Sequence, residues 1–180
     1  MISSIHLVPL SLASGEGMPA LAWMDRLAAD LAASLGVSCH VETRPVEIDF
    51  AYDTFRRQAW STVVLARLEE RRPAQGTVLL GVAGVDLYVP ILTFVFGEAQ
   101  LNGPCAAVSA HRLREEYYGL PPDEGLLAGR LFKEALHELG HTQGLRHCTN
   151  WRCVMSSAHA VERIDVREAA FCRPCATAFL

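Results

Sequence analysis

Apolar positions along this chain follow two rhythms, one short and nearly continuous, the other spaced by three and four residues. Ile2 to Leu10 alternates weakly and reads as a strand. From Pro19 the set Leu21, Met24, Leu27, Leu31 and Leu35 marks one face of a helix. Gly36 suits its C-terminal cap, because glycine takes a positive φ without a Cβ clash. Val37 to Ile48 reads as one strand. Phe55 to Arg72 shows helical spacing, with Arg56, Arg57, Arg67, Glu69 and Arg71 on the polar side and Pro73 as the stop. Thr77 to Val82 is a buried strand; Thr93 to Phe96, running on into Ala99–Leu101, and Ala106 to Ala110 are two more. Pro121-Pro122-Asp123 opens the longest helix, with Asp123 as N-cap, and Gly144 ends it after about Thr142. Cys148 to His159 has no period and reads as loop. Strand, helix, strand, helix, strands, helix is an α/β order.

Composition narrows the picture. At 180 residues, without repeats or long linkers, the chain predicts a single domain over 1–180, with an upper part of about 1–144 and a lower part of about 145–180. Hydrophobic residues at 51% exclude wholesale disorder. Sixteen basic against twenty acidic residues give a net charge of −4, which argues against a dedicated nucleic-acid binder. The arginines of the 55–72 segment therefore read as a solvated helix face. No apolar run approaches the ~20 residues a bilayer span requires. Ile5 to Ala13 lacks a basic flank and is interrupted by His6 and Pro9, so it reads as a strand rather than a secretion signal. A cytoplasmic protein with no membrane partner is expected.

The chemistry concentrates in His137-Glu138-Leu139-Gly140-His141-Thr142-Gln143-Gly144-Leu145-Arg146-His147. Two histidines four apart on a helix share a face, so both imidazoles can reach one ion. Gly144 breaks the helix and lets His147 return as a third nitrogen ligand. Three neutral imidazoles leave one tetrahedral position open, the arrangement of a catalytic zinc. Glu138 stands roughly 100° round the helix from His137, towards that open position, and can act as general base. The five-residue pattern alone arises by chance in about 2% of such chains. Requiring the glycine and the third histidine lowers that to about one in twenty thousand.

Four cysteines follow in two close pairs, Cys148 with Cys153 and Cys172 with Cys175. Such pairs suit a closed, structural thiolate zinc site, which would order a tail too thin to make its own core. Disulfides, a redox pair at Cys172 and Cys175, and a zinc ribbon for nucleic acid are the rival readings. Cys39 and Cys105 have no nearby partner and read as buried thiols.

The extension to Gly144 and His147, the cysteine directly after it, the Cys153-Val154-Met155 triplet and the late pair together resemble the archaemetzincins, of the metzincin class of zinc peptidases. Val85–Pro90 and Phe94–Ala99 are also similar to that family. The resemblance implies a metzincin-like twisted mixed sheet with two or three helices, the active-site helix among them, and a small irregular C-terminal part clamped by a four-cysteine zinc. It implies His137, His141 and His147 as ligands of a catalytic zinc, Glu138 as base, and Cys148, Cys153, Cys172 and Cys175 as ligands of a second, structural zinc. Met155 would be the methionine of the turn beneath the metal. The strand near Phe94 to Leu101 would be the edge on which an extended peptide lies antiparallel, with Glu98 and Gln100 either near substrate or solvated. The implied protein is a peptidase acting on peptide or protein substrates; a monomer is expected, independently of the resemblance. A zinc-dependent peptide-binding or regulatory protein with negligible turnover is the alternative. No tyrosine follows Met155; His159 is a candidate partner for the oxyanion, and His111 has no assigned role.

Overall fold

The computed structural model describes residues 2–71 and 73–179. The first strand, β1 (Ser4–Ser11), is apolar on both faces: Ile5, Leu7, Val8 and Leu10 are all fully buried. A strand covered on both sides belongs inside a parallel sheet. β1 pairs in parallel with β2 (Ser38–Val41), with β3 (Val46–Glu47) and with β6 (Thr77–Ala83). β9 (Cys105–Ser109) continues the parallel run from β6, and β8 (Gly97–Ala99) closes it antiparallel to β9, in the order β2-β1-β6-β9-β8.

Helices cover both faces. α1 (Leu21–Leu35) and α3 (Glu124–Thr142) lie on one, joining Met24, Leu27 and Leu31 to Leu127, Leu131, Ala135 and Leu139. α2 (Ser61–Glu69) lies on the other with Val64, Leu65 and Leu68 against Val8, Leu10 and Leu79. The mixed α/β sandwich predicted from sequence is what forms. α1 ends at Gly36 with φ 67°, as its spacing required, though Leu21 at its start is 66% exposed and takes no part in the core. No helix among the described residues is long and apolar enough to cross a membrane.

Four elements differ from the pattern reading. The strand expected over Val37 to Ile48 is cut by Pro45, which has no N–H to donate, so β2 and β3 each pair separately with β1. The helix expected from Phe55 begins only at Ser61, and its Arg72 end lies outside the described residues. Before it comes a hairpin of β4 (Tyr52–Asp53) and β5 (Gln58–Trp60), which with β7 (Asp86–Tyr88) makes a second, small sheet. Asp53 Oδ1 accepts the N–H groups of Phe55 and Arg56 (2.9 and 3.0 Å), and this local turn outcompetes the helix. Thr93 to Phe96 forms no strand: Val95 alone makes an isolated antiparallel bridge, to Leu87, and regular pairing starts at Gly97. The tail contains two short helices, α4 (Val161–Val166) and α5 (Arg173–Phe179), too brief to show a period.

Candidate active site

Asp123 caps α3, its Oδ1 accepting from Leu126 N at 2.8 Å. Nineteen residues later the helix ends in a tight reversal: Leu145 N donates to Gly140 O and Gly144 N to His141 O, with Gly144 at φ 88°. This is the double hydrogen bond of a Schellman motif, and only a glycine sits at that φ without strain. The reversal returns His147 towards the helix face that carries His137 and His141. The nearest ring nitrogens of the three histidines all lie within 4.8 Å of one another.

Their tautomers are set from behind. His137 Nδ1 donates to Val154 O and His141 Nδ1 to Leu145 O, each at 2.7 Å. That leaves both Nε2 lone pairs facing the cleft, 3.1 Å apart. Two nitrogens on one tetrahedral zinc at 2.0–2.1 Å stand about 3.3 Å apart, so the spacing fits a shared ion. Burial pushes His137 down to about 3 and lowers His141 and His147 as well, so all three imidazoles are neutral near pH 7.

Glu138 is 5% exposed and its carboxylate lies against the backbone of β8: a Cβ on Gly97 would stand 2.7 Å from Glu138 Oε1. Burial, with Glu134 and Glu98 adding to it, raises its pKa well above the ordinary carboxylate range. Met155 is fully buried beneath α3, so close to Gly140 that a side chain there would overlap its sulfur. The glycine inside the histidine motif is therefore a packing requirement.

The cleft, about 440 Å³, runs between α3 and β8 and includes His159 in its wall. His111 is elsewhere. Glu98 lines the cleft while Ser61 and Thr62 donate to it from α2; Gln100 is not part of the lining, and its Nε2 donates to Glu69 at 2.7 Å.

One buried pair in the wall of the cleft carries no sequence motif. Arg167 and Glu134, 3% exposed each, form an ion pair at the base of the cleft. Arg167 Nη1 also donates to Val154 O and Ser156 O, both at 2.8 Å, and so fixes the carbonyl that orients His137. Glu134 lies three residues before His137 and four before Glu138, on the same helix face; a buried acid at that position is the one signal the sequence offers.

The sulfurs of Cys148, Cys153, Cys172 and Cys175 also lie within 4.8 Å of one another. Cys148 Sγ and Cys172 Sγ are 3.8 Å apart. A disulfide requires about 2.05 Å, whereas two thiolates at 2.3 Å on a tetrahedral ion stand about 3.8 Å apart. The Cys175 backbone N–H pulls the Cys172 thiol down to about 7, while burial pushes Cys153 and Cys175 up. The segment is laced together by Cys148 N→Met155 O and Val154 N→Ala170 O, and Phe171 stacks on Phe179.

A histidine helix under the edge of a mixed sheet, with a buried methionine turn below, is the architecture of a metzincin-type zinc metallopeptidase. Residues 46–179 match Peptidase family M54. The chain belongs to that family, the archaemetzincins. It is 45% identical over 126 residues, 70% of this chain and 68% of the relative, to the archaemetzincin of Methanocaldococcus jannaschii. Among solved structures, the Archaeoglobus fulgidus archaemetzincin, complexed with malonate, superposes with TM-score 0.81 at 34% identity, covering 97% of this chain and 99% of that one. A zinc-dependent peptidase from Methanocorpusculum labreanum gives TM-score 0.85 at 28% identity, over 98% and 100% of the two chains.

Proposed function

We propose that His137, His141 and His147 hold a catalytic zinc, that Glu138 is the general base of peptide-bond hydrolysis, and that the four cysteines hold a second, structural zinc. The convergence of three neutral imidazoles beside a buried carboxylate carries this reading. A zinc ion supplies the Lewis acidity that polarises a scissile carbonyl and acidifies water. Glu138 takes the proton of the attacking water and later delivers it to the departing amine nitrogen. Its raised affinity for protons makes it able to hold one between the two steps. The outer edge of β8 offers backbone groups that an extended substrate can pair with antiparallel, so the peptide lies across the histidines.

The test is digestion of a proteome-derived peptide library by protein verified to hold zinc, with Glu138→Ala as control. Cuts that vanish in the variant support the peptidase assignment and report endo- or exo-action directly. No cuts from zinc-loaded protein would turn the assignment towards a peptide-binding role without turnover.

A further inference from the structure

A second polar concavity, about 530 Å³, opens at the carboxyl ends of β1, β6 and β9. The loops after those strands build it: Gly17 follows β1, Gly84 follows β6, and Arg112 and Arg114 follow β9. Gly84 N donates to Gly17 O at 2.7 Å, tying the first two loops together at its floor. β1 connects onward to β2 on one side, whereas β6 leads to β9 on the other. The crevice therefore sits at the topological switch point of the sheet, where open α/β sheets take their ligands. Its volume falls within the range of small-molecule sites, roughly 300–1,000 Å³.

The charge in this crevice is not balanced by the chain itself. Arg112 is matched by Asp86, with Nε to Oδ1 at 2.9 Å and Nη2 to Oδ2 at 2.7 Å. Three other guanidiniums line the crevice without a carboxylate partner among the described residues. Arg56 donates to Gln58 Oε1 and to the carbonyls of Leu92 and Thr93. Arg114 approaches only His111 Nδ1, at 3.3 Å, and its buried Nε has no partner. Arg57 is exposed, on a turn with φ 58°. Against them stands Glu16, exposed on the rim and in no ion pair among the described residues. Three positive charges against one leave an excess of about two, in a protein whose net charge is −4.

We propose that this crevice binds a small phosphorylated molecule, with Arg57 and Arg114 supplying the charge. A phosphate monoester carries about −1.5 to −2 at neutral pH and matches the excess; a single carboxylate brings half of it. Guanidinium also pairs with phosphate oxygens bidentately, which adds orientation to charge. The site is separate from the catalytic cleft. Leu92 and Thr93 stand between them, lining the cleft while Arg56 holds their carbonyls from the crevice side.

Zinc-loaded full-length protein is titrated calorimetrically at low ionic strength with inorganic phosphate, AMP, adenosine and succinate. AMP is expected to bind saturably with a dissociation constant of about 1 mM or tighter, phosphate to compete, and adenosine not to bind. Arg57→Gly and Arg114→Gln each weaken AMP about tenfold, with zinc content unchanged and unliganded melting not lowered. Arg57→Gly relaxes a left-handed backbone, so it keeps the test valid if Arg114→Gln fails to fold. Absence of saturable binding, or AMP binding untouched by either variant as at the metal centre, would overturn the proposal. Succinate binding as tightly as phosphate, or adenosine as tightly as AMP, would overturn the ligand class. None of these readings depends on peptide hydrolysis.

Discussion

Arg167→Met tests the ion pair beneath His137. The side chains of Arg167 and Glu134 are 1% and 5% exposed, so methionine fills much of the arginine's volume but leaves a carboxylate buried without its counter-charge. Breaking a buried pair from one side costs about 3–5 kcal/mol. For a domain of this length that corresponds to a melting temperature lowered by roughly 6–20 °C. The variant's deficit should also depend on pH. Burial already raises Glu134 and Arg167 opposes it, so removing the arginine raises the folded-state value further. The folded variant then keeps a proton that its unfolded chain releases near 4.3, so its stability is best in acid and falls as pH rises through the raised value. Glu134→Gln in the same background should recover a large part of the loss and remove that pH dependence. Denaturant titrations of the wild type, both single variants and the double variant, all zinc-loaded, give the coupling energy. A cost below about 1 kcal/mol for Arg167→Met, as for an exposed pair, would refute the reasoning. So would a double variant no more stable than the single one.

Other perturbations separate the parts of the site. Gly97→Ala places a Cβ 2.7 Å from Glu138 Oε1 and 2.8 Å from Ala107 O, so hydrolysis should fall by about 100-fold while zinc content holds; unchanged turnover would remove Glu138 from the reaction as drawn. Cys172→Ser should lose one zinc equivalent and melt lower, whereas His141→Ala should lose the other with the fold largely intact, as read by metal analysis and calorimetry. Identical effects from the two would contradict two distinct sites. Metal-free protein should lose stability as pH falls from about 6.5 towards 3, because His137 stays neutral when folded and protonates when unfolded; a flat melting profile over that window would argue against its burial.

The parts of the site that are legible in sequence are those fixed by local geometry. Histidines four apart on a helix, Asp123 at its start and Gly144 at its end need only the α-helical repeat, and they stand where the repeat puts them. Long-range contributions are not legible. Arg167 reaches Glu134 across 33 residues, and nothing in Ile164-Asp165-Val166-Arg167 announces it. The part of the hairpin from Phe55 to Trp60 reads as helix because its apolar spacing imitates one; Asp53 and the buried contact of Gln58 with Asp86 (2.8 Å) decide otherwise. Glu98, read as near substrate or solvated, is engaged by Ser61 and Thr62, which a one-dimensional pattern cannot show.

His147 and Cys148 are adjacent in the chain yet face different clusters. Synthesis therefore delivers the site in a fixed order. A nascent chain ending at Gly144 carries two imidazoles and the carboxylate. It lacks the third imidazole, the Val154 carbonyl behind His137, the methionine beneath the helix and the arginine that pairs with Glu134. All four lie within His147–Arg167, the stretch that also carries Cys148 and Cys153. On the proposed assignment the second cluster acts as a completion signal: hydrolytic competence begins only when the last stretch of chain has folded around its own metal.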